Sequence, residues 1–135
     1  MFNKQGQYVR FRVAKTIPNK VGQFVSFWEK DATHKNQAFS YEKATDLLVI
    51  NTFTSTNRFG QFIFPKEVLL KQKILKTATT KGKMAIRVYP IWDTPTSKQA
   101  METQKWQLEY FVETNYTNNL LHQKLLKLYF ESRND

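Results

Sequence analysis

Few residues in this 135-residue chain can do chemistry, and their spacing limits it further. There is no cysteine, which excludes a thiolate nucleophile, a disulfide framework and any Cys-ligated zinc or iron–sulfur site. The two histidines, His34 in a polar loop and His122 near the C-terminus, lie in no nucleophile–base motif and are too few for a histidine metal cluster. Paired carboxylates remain. In metal-dependent nucleases a strand-borne Asp and an Asp or Glu on the next strand hold Mg²⁺, while a Lys two positions later orients the attacking water. Asp46 heads an apolar run as the first carboxylate should, but the following strand reads Gln61-Phe62-Ile63. None of the eleven acidic residues has Lys two positions later. An amide ligates a hard cation weakly and isoleucine cannot hold water, so Asp46 and Gln61 are vestigial metal candidates at most. Asp46 reads more simply as the cap of a strand. No catalytic residue, resident metal or cofactor is expected.

The cations are more informative. Twenty-one Lys and Arg against eleven Asp and Glu give a net charge of +10, which points to an anionic partner. Residues 1–28 hold five bases and no acid, and residues 58–98 hold nine bases and two acids; residues 29–57 and 99–135 are each close to neutral. Aromatic and amide side chains accompany the bases. Arg10, Arg12, Lys15 and Lys20 lie near Tyr8 and Trp28; Lys81, Lys83 and Arg87 near Tyr89 and Trp92; Lys98 and Lys105 near Trp106, Gln99, Gln104 and Gln107; Lys66 is a further candidate phosphate contact. Phosphates attract the cations, bases stack on the rings, and amides bond base edges or backbone oxygens. The set reads as a nucleic-acid-binding surface.

These groups need rigid elements to hold them. Tyr8 to Lys15 alternates apolar and polar residues as a half-buried strand does, and Thr16–Lys20 is a turn leading to a second strand over Gln23–Glu29, so the two are expected to form a hairpin. Asp46–Ile50 is the most uniformly apolar run of the chain, with Asp46 at its head, and reads as a central strand buried on both faces. Phe59–Phe64 is a fourth strand, followed by a short helix over Lys66–Lys73, and Met84–Tyr89 is a fifth strand. Beyond residue 95 the apolar period becomes helical. Thr96 and Gln99 form a capping box for a helix whose face includes Met101, Leu108, Phe111 and Val112, and a second helix begins near Asn118 with Leu121, Leu125 and Leu128 as its stripe. The expected fold is a single α+β domain spanning 1–135, with a mixed sheet of about five strands over residues 8–90 and two C-terminal helices over about 96–131 flanking it. No apolar run approaches membrane-spanning length and the polar start lacks a signal-peptide core, so a cytoplasmic protein with no membrane partner is expected.

Several stretches together resemble the MepB family. They are Arg10-Phe11-Arg12-Val13-Ala14-Lys15 through Val25 with Trp28; Gly60-Gln61-Phe62-Ile63-Phe64-Pro65-Lys66; Gly82-Lys83-Met84 through Asp93; and Ser97-Lys98-Gln99-Ala100 through Gln107. The resemblance implies a restriction-endonuclease-like core of the PD-(D/E)XK type with a degenerate active site, and a link to a multidrug-efflux operon. It also implies that Arg12, Lys15, Lys20, Gln23, Trp28, Lys66, Lys83, Arg87, Tyr89, Trp92, Gln99, Gln104, Trp106 and Gln107 are family motif positions. Met84 departs from the arginine common there. The resulting expectation is a nucleic-acid-binding protein preferring RNA or single-stranded DNA to duplex DNA, since no duplex-reading motif is visible. The alternatives are a metal-dependent nuclease with a non-standard site, built on Asp46 with Asp93 or Glu109, and a regulator that binds an acidic protein.

Overall fold

The structure is a computed structural model and describes residues 7–56 and 58–113. The strands are β1 (Val9–Val13), β2 (Lys15–Thr16), β3 (Gln23–Ser26), β4 (Glu29–Lys30), β5 (Asn36–Gln37), β6 (Leu47–Phe53), β7 (Phe59–Pro65), β8 (Ala85–Val88) and β9 (Phe111–Glu113). Two helices, α1 (Lys66–Lys71) and α2 (Lys98–Leu108), complete the described elements. The expected second C-terminal helix, with His122, lies outside them.

The uniformly apolar run forms the centre, as its composition requires. Leu47, Leu48, Val49 and Ile50 in β6 are all buried, with β1 parallel on one side and β7 antiparallel on the other. β9 closes the order β1-β6-β7-β9. One face of this sheet carries Val9, Leu47, Val49, Ile63 and Val112. The other presents Leu48, Ile50, Phe62, Phe64 and Phe111 to Val25 and Val88 from a smaller sheet, ordered β2-β3-β8, and to Leu69, Ile74 and Leu75. The main core is thus a layer between two sheets. Its centre is aromatic: Phe62 stands 4.7 Å from Phe111 and 5.5 Å from Phe64, ring to ring, and Phe64 is 5.4 Å from Trp106 of α2.

The strands of the expected single sheet are distributed over separate sheets, and three local expectations are corrected. First, the long N-terminal strand is not the arm of a hairpin: β1 pairs with β6, and only the two residues of β2 pair with β3. In that register Val9 lies beside buried Leu47, in the cluster with Val49, Ile63 and Val112. The chain changes sheets at buried Ala14, whose N–H donates to the Asn51 carbonyl at 2.9 Å. Second, the cap of α2 is Ser97 and not Thr96: the Ser97 hydroxyl accepts from the Ala100 N–H at 3.1 Å. Third, α2 ends at Leu108, and Phe111 and Val112 belong to a strand. They pair with Phe62 and Gln61, where the bare Cα of Gly60 leaves room for the Phe111 ring that any Cβ would strike.

Because Phe62 is fully buried within this aromatic cluster, Phe62→Ala is expected to cost about 3–5 kcal/mol in urea unfolding. A loss below 1 kcal/mol would place the core elsewhere.

Candidate nucleic-acid interface

The site is built on the open edge of a strand. β8 pairs with β3 on one side, so on the other the Tyr89 N–H and the Arg87 carbonyl need partners from outside the sheet. α2 supplies them from one side chain. Gln107, fully buried, accepts from the Tyr89 N–H through Oε1 at 2.9 Å and donates through Nε2 to the Arg87 carbonyl at 3.0 Å. Three residues earlier on the same helix face, Gln104 Nε2 donates to the carbonyls of Tyr89 (3.3 Å), Pro90 (3.0 Å) and Asp93 (2.8 Å). Two glutamines therefore fasten the helix to the strand edge and to the turn that follows it.

Holding α2 there leaves a cleft of about 490 Å³ between helix and strand. Lys83, Arg87 and Tyr89 line it from the β8 side; Gln99, Thr103 and Trp106 line it from the helix. A hollow of about 240 Å³ adjoins it, sharing Arg87, Tyr89 and Ser97 and adding Lys20. Lys20 from the first basic segment thus shares the hollow with Arg87 from the second, and Lys83 lines the adjoining cleft. Among the described residues that line the two spaces there is no carboxylate. The charged residues of that lining are all cations.

Gly22 sets the walls of the hollow. It adopts φ +88°, and a Cβ there would come within 2.7 Å of both Arg87 Cγ and Tyr89 Cε1. Its bare Cα is what lets these two side chains lie across the turn that carries Lys20, with Arg87 Nη1 donating to the Val21 carbonyl at 3.3 Å. Half-buried Asp93 accepts from the Gly22 N–H; burial raises its pKa above the usual carboxylate range, and that hydrogen bond offsets part of the rise.

The other sequence-derived residues are dispersed. Arg10 lies with its guanidinium 4.0 Å from the Phe39 ring centroid, and burial, reinforced by repulsion from Arg12, lowers its pKa. Arg12 donates to the Phe11 carbonyl at 2.9 Å, and Lys66 Nζ stands 4.7 Å over Tyr41. Trp28 is exposed with Lys30 5.2 Å above it, whereas Trp92 packs edge-on against Phe111 with Arg58 at 5.0 Å. Lys98 and Lys105 are exposed on α2, and Lys15 is exposed on β2 opposite Phe24. Buried Gln23 donates to the Phe53 carbonyl at 3.2 Å. Ser97 and Thr103 also line the site; both fall in the family-resembling stretch, but neither is among the sequence-derived binding residues.

The two vestigial metal candidates are far apart. An Asp46 carboxylate oxygen accepts from the Tyr8 N–H at 2.8 Å at the start of β6, while Gln61 donates to Asn51 Oδ1 at 2.8 Å five positions further along that strand. Among the described residues no three His, Asp or Glu side chains gather as metal ligands.

The family model described as MepB-like matches residues 1–113. The chain belongs to the MepB-like family. It is also similar to the crystal structure of MepB, with a TM-score of 0.79 and 43% sequence identity over 82% of this chain and 74% of that one. No curated protein matches it. Among the described residues no helix is long and apolar enough to cross a membrane.

Two outcomes follow from this geometry. Gln107→Leu keeps the volume but leaves two buried backbone groups unpartnered, so unfolding in urea is expected to show a loss of about 2 kcal/mol or more; a neutral substitution would mean that α2 is held by other contacts. Asp93 has a folded pKa above its unfolded value, so the folded state binds more protons through that interval and stability falls as pH rises through it. Asp93→Asn, which keeps an acceptor for Gly22, is expected to raise the melting temperature at pH 7 and to lose that advantage near pH 3. A gain of equal size at both pH values would contradict the assignment.

Proposed function

We propose that this protein is a cytoplasmic nucleic-acid-binding protein whose β8–α2 cleft holds a single strand of RNA or DNA, with duplex DNA bound more weakly. The observation that carries this reading is the placing of Lys20, Lys83 and Arg87 along two adjoining spaces, joined at Arg87 and Tyr89, whose described lining holds no carboxylate and includes the rings of Tyr89 and Trp106. Cations that track a phosphate backbone next to rings that receive bases are the physical requirements of single-strand binding.

The dimensions favour a strand over a duplex. A cleft of about 490 Å³ accommodates a group of nucleotide size, whereas a double helix must be met by a projecting helix or an extended surface. α2 is no such projection, because its Gln104 and Gln107 face is bound to β8 and the turn after it, and its other side interleaves exposed Lys98 and Lys105 with exposed Glu102 and Glu109, leaving no net charge there. The carboxylate of Asp46 engaged by backbone, with an amide at Gln61, fits a nuclease-like scaffold that binds without cutting.

Three cleft cations that neutralise three phosphates give a log K against log salt slope of roughly −2 for a single strand. Fluorescence anisotropy with labelled RNA, single-stranded DNA and duplex DNA between 50 and 300 mM salt measures it. Lys83→Ala combined with Arg87→Ala is expected to weaken single-strand binding at least tenfold and to flatten the slope, with the melting temperature retained. Unchanged affinity in that variant, or Mg²⁺-dependent cleavage by the wild type, would overturn the proposal.

A further inference from the structure

We infer that the outward face of the β2–β3–β8 sheet is a base-stacking platform, with the Phe24 ring as the surface on which a base of single-stranded RNA or DNA lies. This rests on the reading of the cleft given above and extends it across the sheet, to a residue outside the sequence-derived set.

The register makes the arrangement. Lys15 of β2, Phe24 of β3 and Arg87 of β8 are directly opposite one another, so their side chains stand in one row on one face. At the usual strand spacing the Cα atoms of Lys15 and Arg87 are about 10 Å apart with that of Phe24 between them. The pleat sends Gln23 and Val25 inward, where they are 2% and 1% exposed, and leaves Phe24 40% exposed. Towards one end of this face the next cross-strand pair, Ser26 and Ala85, is small; towards the other the Tyr89 ring lies over Gly22. None of the ten residues in the three strands is acidic.

A lone exposed phenylalanine is ordinary. Phe24 differs in its flanks, since Arg87 is at once its neighbour in the row and a wall of the cleft. A strand whose phosphate sits on Arg87 therefore has a flat apolar ring within reach for the adjoining base and a further cation, Lys15, for the next phosphate. Aromatic groups on a sheet surface flanked by cations receive unpaired bases in this way, and a duplex, with its bases already stacked, cannot use them.

The test compares a labelled oligothymidylate with an abasic strand of the same length, by anisotropy, against wild type, Phe24→Ala and Phe24→Trp. Phe24→Ala is expected to bind oligothymidylate about tenfold more weakly and the abasic strand as well as wild type does, because only stacking is removed. Phe24→Trp restores the affinity, and its added fluorescence is quenched on binding. The ring lies outside the core, and thermal melting of each variant checks the fold. Equal affinities of wild type and Phe24→Ala, or equal losses on both strands, overturn the stacking role while leaving the cleft reading in place. Failure of the wild type to bind either strand, or tighter binding to polyglutamate than to oligothymidylate, overturns both.

Discussion

The candidate site depends on satisfying the open edge of β8. A strand edge left with bare N–H and carbonyl groups against a helix would destabilise the interface, and a leucine or alanine at the contact would leave it so. Gln107 resolves this by presenting, from the helix, the same donor and acceptor that a further strand would offer. Gln104 extends the arrangement to the carbonyls of the Tyr89–Asp93 turn. Because side chains and not backbone make the junction, the helix stands off from the strand, and the space between them is the cleft. The chemistry of the cleft is a consequence of the way its walls are joined.

The cations divide by their surroundings. Arg10 lies on Phe39 beside the main core, where its alkyl chain and ring contact contribute packing as much as charge. Arg58 forms a bidentate pair with Glu113, two contacts of 2.7 Å that tie the start of β7 to β9. Lys20, Lys83 and Arg87 have no such carboxylate partner in the cleft walls. A net charge of +10 thus resolves into bases that serve the fold and bases grouped where an anion is able to reach them.

Much of the architecture was legible where the determinants are local. The run Leu47–Ile50 reads as a doubly buried strand because no polar residue interrupts it, and the helix after Pro65 follows from the proline itself. The partner of β1 was not legible, and the alternation of Val9, Phe11 and Val13 overstated its burial: Val9 is buried against Leu47 but Phe11 and Val13 are exposed, and the parallel register with β6 is a long-range choice. Phe111 and Val112 fit a helical stripe by spacing but form β9, where Gly60 accepts the Phe111 ring. The grouping of Lys20 with Lys83 and Arg87 was foreseeable as chemistry but not as geometry. The glutamines show the opposite limit: an amide on a helix reads as a surface group, and nothing in the sequence marks Gln107 as 1% exposed. Phe24 carried a readable signal, since strict alternation opposes it to Gln23 and Val25, but its meaning emerges only once Arg87 is its neighbour.

The most direct measurement is a residue-resolved amide NMR titration of the protein with a short single strand at low salt. The account predicts that shifts gather on Lys20–Gly22, Lys83–Tyr89 and Ser97–Thr103, the three segments that wall the cleft. Shifts gathered instead on Arg10–Val13 and the β4–β5 hairpin, or spread evenly over exposed lysines, would contradict it.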